Sequence, residues 1–434
     1  MRLDDLFLWY LGAPGRPRYV GELHLVESGK GVSLHYGAQW LAEGFALSED
    51  LPLIDQEFIP AGRLFADAPR AVGAVDDARP DRWGEKIIRL IDRPKRLSLM
   101  EFLYFAGDDR FGALGVSTSP SEYAPRRVGP LPRLADAQAL ADVVAKIQAA
   151  EPISKLQEAM MRTGAGTGGA KPKMLIDIDG EPCLLKFGNG EPIDVPLVEH
   201  ATMSLAQRAG IRVAKTMPVR LVAEHALAIW RFDRAPGRRI HAISASTAIR
   251  AAESGADDPA LMGYPALAMV LRRTGSPSHG RAEQDAAELF RRMVFNILMD
   301  NTDDHEKNHS LLIDDPSSSL SVSLAPAYDV LPTNSGQGHQ EFVCGDAGRD
   351  STLDNAMSQC QAFGLTHDMA AAEVYRVIDV VRGWRQHFAQ IGVTPSDIEA
   401  LAEFIDGDAL RSQREDFQSS PVRRRRKRSP FQPE

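Results

Sequence analysis

Between Asn301 and Asn308 the chain reads Asn-Thr-Asp-Asp-His-Glu-Lys-Asn, and an isolated acid, Asp329, follows in Ala325-Pro326-Ala327-Tyr328-Asp329. An acid at 303, an asparagine five residues on and another acid about twenty residues later form a spacing suited to phosphoryl transfer. In that chemistry one carboxylate accepts the proton of an incoming hydroxyl, while an amide and a second carboxylate hold magnesium against nucleotide phosphates. Asp303 is thus the candidate base, and Asn308 and Asp329 are the candidate magnesium ligands. Asn, Asp and Thr are also ordinary loop residues. This segment, however, follows a long apolar helical pattern and precedes an apolar strand, which is where a rigid scaffold presents a site.

Two further parts lie upstream in the order such a site needs. The stretch Gly164-Ala165-Gly166-Thr167-Gly168-Gly169-Ala170-Lys171-Pro172-Lys173 is rich in glycine. Without Cβ atoms, its backbone N–H groups can approach and cradle phosphate oxygens. A hairpin follows, with Lys173 to Ile178 as one strand, Asp179-Gly180 as a two-residue turn, and Cys183 to Phe187 as the return strand. Lys186 on that return strand can reach back under the glycine loop to phosphates, or it is an edge-strand charge that guards against aggregation. Glu199, on a helix read from Val195 to Ala209, either pairs with Lys186 or is a solvated helix glutamate.

The elements that must position these residues follow from patterning. With 434 residues the chain is long enough for two or three domains or lobes with ample core. No apolar run reaches membrane-spanning length, and Met1-Arg2-Leu3-Asp4-Asp5 lacks the basic-then-apolar layout of a signal peptide. Three scattered cysteines, Cys183, Cys344 and Cys360, have neither metal nor disulfide spacing, so a reducing cytoplasm is the expected setting. The net charge is −9, yet Arg423 to Arg428 carries six positive charges. Removing those leaves about −15 on the remainder, too acidic for an obvious nucleic-acid surface. The basic tail reads as a solvated, disordered terminus or as a sequence-independent contact to nucleic-acid phosphates.

The coarse layout is α+β. Residues 1–130 read as a strand-rich unit, with Tyr19–Leu25 and Val32–Tyr36 joined by a turn at Ser28–Gly31 and a core helix at Leu99–Phe105. Ser117 to Pro132 reads as a linker. Residues 131–228 then carry a helix from about Leu134 to Glu151, the glycine loop, the hairpin, and strands at Thr216–Leu221 and Ala226–Trp230. In residues 229–415 helical patterns dominate. The core helix at Ala286–Met299 delivers the 301–308 loop, and a short β pair, Leu311–Ile313 with Ser321–Leu324, brackets the loop Asp314–Ser319 and leads on to Asp329. Ala370–Gln390 and Pro395–Ile405 are two late helices, the second with Thr394 as N-cap. Residues 416–434 form the basic tail.

Taken together these segments resemble the HipA kinases, the toxin halves of bacterial type II toxin–antitoxin pairs. The resemblance spans nearly the whole chain. It rests on Pro80-Asp81-Arg82-Trp83-Gly84 and Gly107-Asp108-Asp109-Arg110-Phe111-Gly112-Ala113-Leu114. In the later half it rests on Gly169-Ala170-Lys171-Pro172-Lys173, Lys186-Phe187, Arg231-Phe232-Asp233-Arg234, Asp303 to Asn308 and Ala325 to Asp329. It implies a protein-kinase-like two-lobed core with an added strand-rich N-terminal domain and an all-helical C-terminal lobe. Asp303 would be the catalytic base, and Asn308 and Asp329 would bind Mg2+. ATP would be held by Gly168, Gly169, Ala170, Lys171, Lys173, Lys186, His305, Lys307, Asn308, Tyr328 and Asp329. Trp230, Arg231 and Phe232 would fall at the adenine-binding hinge between the lobes.

Members of that family phosphorylate serine or threonine on proteins, aminoacyl-tRNA synthetases among them, and so arrest translation. A helix-turn-helix antitoxin neutralises them, and DNA is reached indirectly through that partner; no membrane partner is implied. Family members often carry a glycine-loop serine whose autophosphorylation shuts the kinase off. Gly166 stands at that position here, with Thr163 and Thr167 as nearby hydroxyls, which puts this form of regulation in doubt. Two other readings stay open: a kinase of the same fold acting on a small-molecule or lipid hydroxyl, and a non-toxic co-regulator bound to an antitoxin.

Overall fold

The computed structural model describes residues 3–26, 31–60, 70–166, 168–252, 262–276, 280–313 and 321–417. The turn expected around Ser28–Lys30, Thr167, the loop Asp314–Ser319 and the basic run Arg423–Arg428 lie outside them.

Alternating apolar residues make the N-terminal strands pair antiparallel. Arg18–Val26 runs between Asp5–Tyr10 and Gly31–Tyr36, with Gly21 opposite Tyr36 and Val26 opposite Gly31. Leu114–Ser117 adds to the far edge of Asp5–Tyr10, bringing the chain back after the helices Arg82–Ile91 and Leu99–Phe105. The latter helix starts at a capping box, in which Ser98 and Glu101 satisfy each other's backbone N–H groups. Arg110, at the end of this stretch, is fully buried and donates to the carbonyls of Ala78, Leu103 and Gly107.

The second sheet carries the glycine-loop hairpin. Its order among the described residues is Lys173–Ile178, Glu181–Lys186, His225–Trp230, Thr216–Arg220, all antiparallel. Asp179 and Gly180 both take positive φ, 54° and 85°, as a type I′ turn requires. The helix Ala137–Gln148 buries Leu140, Val143, Val144 and Ile147 against this sheet's core, the stripe expected from their spacing. Trp83, Ile87, Ile88 and Phe102 of the N-terminal stretch enter the same core, so that stretch packs directly on the glycine-loop sheet.

The remainder is helical in bulk. Arg281–Leu298 is its central helix, and Phe290, Met293, Val294 and Ile297 on it are wholly buried. Each such side chain contributes about 1.5–3 kcal/mol relative to exposure. The short β pair is present as Ser310–Ile313 with Val322–Leu324, and a third strand, His241–Ser244, completes the sheet. The lobe therefore also holds strands, because its two key loops need a rigid pair to leave from. The single late helix expected over Ala370–Gln390 is two, His367–Val381 and Trp384–Ile391. Gly383 interrupts it, and Trp384 turns inward to donate to Asp406 at 3.1 Å. Pro395–Ile405 begins as expected, with the Thr394 hydroxyl accepting from Asp397 N.

Candidate active site

The site is assembled at the end of the central helix. Asp285 and Glu288 on that helix pair with Arg212 at 2.5 Å each, and Asp285 also accepts from Leu324 N at 2.7 Å. Buried Arg292 pairs with Glu288 and donates to Ala325 O at 2.7 Å. One helix face thus fixes both the loop that follows it and the strand that leads to Asp329.

Lys186, on the inner strand of its hairpin, is nearly buried. Its ammonium lies 2.7 Å from Glu199 Oε1 and 2.7 Å from Asp329 Oδ1. Glu199 is placed by the helix Val195–Arg208. The Asp194 carboxylate accepts from Leu197 N at the start of that helix and also bonds the His225 ring at 2.6 Å, tying the helix to the sheet. Burial opposes charge on Lys186, but Asp329 and then Glu199 outweigh it and hold the ammonium protonated. Asp329 is half-buried, which alone would raise its carboxyl, yet Lys186 and Lys173 keep it far below the usual range. Burial and the charge of Asp329 push Glu199 upward. Asp329 sits at φ 58°, a left-handed conformation costing about 1–3 kcal/mol that the surroundings must enforce.

Asp303 is exposed at the mouth of this cluster. Partial burial raises its carboxyl, and Asp329 adds to the rise while His305 opposes it. Asn308 donates through its amide nitrogen to Asp303 O at 3.3 Å, which leaves its amide oxygen turned away from that bond. The His305 ring accepts from Lys307 N and so shapes the turn. The Tyr328 hydroxyl bonds both Lys307 O and Ser310 Oγ, and its ring meets Phe232 at 5.4 Å between centroids. Directly below Asp303, Asp304 is buried and accepts from His309 at 2.7 Å and from the Tyr264 hydroxyl. Burial alone would raise Asp304; the His309 ring and these hydrogen bonds instead hold it low.

The glycine loop lies over the cluster. Buried Lys173 donates to Gly168 O at 2.6 Å, and burial with neighbouring Lys186 lowers its ammonium to about 8. Lys171 faces Glu191 at 3.7 Å, and Ala170 is exposed. Gly169 takes φ 86°, which strains any other residue, and a Cβ there would also displace the Lys173 ammonium, 2.3 Å away.

At the junction between the glycine-loop sheet and the helical part, side chains of the expected hinge point elsewhere. The Trp230 indole donates to Glu181 at 2.6 Å and lies under Lys215. Arg231 and Arg234 both close on Asp109 at 2.8 Å and on Arg110 O at 2.7 Å, while Asp233 accepts from Gly112 N. These two arginines lower Asp233, against its burial, to about 2. The segments Pro80–Gly84 and Gly107–Leu114 carried the family resemblance but were given no contact with the site; the first touches the glycine loop and the second closes on Arg231 and Arg234.

Chemically, the arrangement offers an ammonium and loop amides to an anion, two hard oxygen donors in Asn308 and Asp329 to a divalent cation, and a carboxylate at the opening. Among the described residues no group of three or more His, Cys, Asp or Glu side chains could hold a metal ion. Among the same residues no helix is long and apolar enough to cross a membrane.

Comparison with known proteins gives two family matches. The HipA-like C-terminal domain matches residues 165–384, and the HipA N-terminal domain matches residues 16–117. Two curated proteins of Sinorhizobium fredii (strain NBRC 101917 / NGR234), provisionally named kinases Y4dM and Y4mE, are similar in sequence. The first is 31% identical over 166 residues, 36% of this chain and 38% of that protein. The second is 28% identical over 249 residues, 52% of this chain and 56% of that protein. The chain therefore spans about two fifths and just over half of these relatives. Its fold is similar to that of a chain in the Shewanella oneidensis MR-1 toxin–antitoxin complex of HipA, HipB and operator DNA. The TM-score is 0.64 at 17% identity, covering 95% of this chain and 97% of the other.

Proposed function

The chain belongs to the HipA family, and we propose that it is an ATP- and magnesium-dependent kinase that phosphorylates serine or threonine on a protein. The observation that carries this reading is the Lys186 ammonium held between Glu199 and Asp329, beside the Asp303–Asn308 loop. It is the arrangement in which a lysine and a metal-binding aspartate are both set for nucleotide phosphates.

The residues fit such a ligand. Asn308 and Asp329 supply oxygen donors of the kind magnesium accepts alongside phosphate oxygens. Gly168, Gly169, Ala170, Lys171 and Lys173 line the loop, and Lys186, His305, Lys307 and Tyr328 surround the phosphate end. Trp230, Arg231 and Phe232 mark the hinge, which would meet adenine through its backbone. When bound, magnesium and ATP supply the phosphoryl group and neutralise its charge. Asp303 orients the incoming hydroxyl and takes its proton; its raised carboxyl makes it a better base than an ordinary surface aspartate. Most of the acceleration comes from positioning and preset charge.

In the same reading residues 1–130 form the added domain, 131–228 the small lobe, 229–415 the large lobe, and 416–434 the basic tail. The chain acts as the toxin of a pair, restrained by a helix-turn-helix antitoxin that brings it to DNA. What supports this is the likeness in fold to a chain solved with HipB and operator DNA. Its target is a translation protein such as an aminoacyl-tRNA synthetase.

The test is induction of the chain and of Asp303→Asn in a bacterial host, with phosphoproteomics on both cultures, and labelled ATP added to whole-cell lysate. Arrest with the wild type alone, plus a phosphosite absent from the variant, is the expected result. Label on a small molecule or lipid would move the acceptor to that class. Unlabelled lysate and equal growth would favour a non-catalytic co-regulator.

A further inference from the structure

Gly169 is held from both sides by the N-terminal stretch. Its N–H donates to Asp81 Oδ2 at 3.2 Å, and its carbonyl accepts from Trp83 N at 3.2 Å. The buried Trp83 indole adds a bond to Lys173 O at 2.8 Å, at the other end of the same loop. The same Asp81 oxygen lies 3.7 Å from Lys307 Nζ in the catalytic loop. One corner, residues 81–83, therefore touches the glycine loop at two points and the catalytic loop at a third.

We propose that Asp81, together with Trp83, is a positioning residue for nucleotide binding: it clamps the glycine loop over the site and keeps Lys307 turned toward it. The proposal rests on the kinase reading of that site.

A glycine-rich loop loses much conformational freedom when it orders. A loop ordered beforehand by its neighbours presents its remaining amides, those of Gly168, Ala170 and Lys171, without that loss, and apparent affinity rises with the fraction of molecules already competent. Asp81 could instead stand in for a phosphate on the Gly169 N–H. The geometry favours the clamp. A phosphate stand-in would need only the N–H, whereas here the Gly169 and Lys173 carbonyls are also held, by donors that no phosphate can replace. At 3.7 Å the Lys307 contact is an ion pair rather than a hydrogen bond, so Lys307 can turn to a phosphate without breaking the clamp.

Asp81 also caps the helix Arg82–Ile91 through Arg82 N, so the test separates the two roles. Asp81→Ser keeps the cap but is too short to reach Gly169; Asp81→Asn keeps the cap and the acceptor but loses the charge. The measurements are the Kd for Mg·ATP by calorimetry, the melting temperature, and amide exchange of Gly168–Lys173 without nucleotide. For Asp81→Ser the expected result is faster exchange and about tenfold weaker binding at an unchanged melting temperature, the loss of one charge-assisted hydrogen bond. Asp81→Asn falls between this variant and the wild type. Wild-type binding with unchanged Kd and exchange in Asp81→Ser overturns the clamp alone. Tighter binding in either variant overturns it in favour of an internal competitor for phosphate. A wild type that does not bind Mg·ATP removes the kinase reading and this inference with it.

Discussion

The Lys186 ammonium lies 2.7 Å from Asp329 Oδ1, a residue 143 positions further along the chain. Glu199 holds the same nitrogen at 2.7 Å from the other side. Removing the cation would leave the buried Glu199 carboxylate unpaired beside half-buried Asp329, whereas removing Asp329 would leave a complete Lys186–Glu199 pair. Lys186→Met is therefore expected to lower unfolding free energy by about 3–5 kcal/mol, the range for one partner lost from a buried pair. Asp329→Asn is expected to change it far less. Both should reduce ATP-dependent phosphorylation by at least about a hundredfold, as loss of a preset charge does. Denaturant unfolding beside a phosphorylation assay checks this, and equal stability of the two variants would sink the account of the trio.

Lys173 gives a pH dependence with a definite sign. Burial lowers its ammonium from 10.5 to about 8 in the folded chain. Between about 8 and the unfolded value near 10.4, the unfolded chain keeps a proton that the folded chain has lost. Stability contributed by this group therefore rises with pH across that window, on the order of 3 kcal/mol in all. The raised Lys186 contributes no opposing slope below about 10, because it is protonated in both states there. Raised thiols and phenols, Cys183 and Tyr36 among them, oppose this rise, so the Lys173 part is the difference between the wild type and Lys173→Met. Guanidinium unfolding of both proteins at pH 7.5 and 10 measures it, and parallel curves would show that Lys173 is not desolvated.

The local elements were legible because local chemistry sets them. Asp179-Gly180 demands a type I′ turn, Thr394-Pro395 a helix start, and the stripe Leu140, Val143, Val144, Ile147 a buried face. The order from glycine loop to Asp329 was legible as spacing. What escaped were meetings between distant polar residues: Asp81 with Gly169, and Asp109 with Arg231 and Arg234. Such pairs leave no periodicity, since each partner alone reads as a surface charge. The strand His241–Ser244 escaped because four residues beside a helical run carry too little alternation. The break at Gly383 escaped because the apolar stripe, Val381, Trp384 and Phe388, continues across it.

Asp304, next to the candidate base, supports the 301–308 loop from beneath. It accepts from His309 and from Tyr264, whose hydroxyl in turn accepts from Asn296 at 3.0 Å on the central helix. Asp304→Ala leaves a buried ring nitrogen and a buried hydroxyl without their acceptor. At about 1–3 kcal/mol for each stranded group, the expected loss is about 2–6 kcal/mol. Asp304→Asn restores an acceptor for Tyr264 and should recover part of it. Calorimetric melting of the two variants decides this. If the Asn variant is no more stable than the Ala variant, the charge facing His309, rather than hydrogen bonding, holds the loop.

Gly166 occupies the position where the family resemblance places a serine, and the structure leaves it no space for a side chain. A Cβ there would lie 2.8 Å from Ala106 O and 3.1 Å from Asp109 O. Neither carbonyl can yield easily. The Asp109 side chain is locked by Arg231 and Arg234, and Ala106 ends the helix Leu99–Phe105. Gly166→Ser must therefore push the loop away from the N-terminal stretch, at a cost of about 1–3 kcal/mol for a group inserted into packed surroundings. The expected outcome is a lower melting temperature, faster amide exchange across Gly168–Lys173, and weaker Mg·ATP binding. Gly166→Ala should behave alike, because the clash belongs to the Cβ and not to the hydroxyl. If only the serine variant loses activity, and does so with ATP and time, a modification of the new hydroxyl is responsible and the steric account fails.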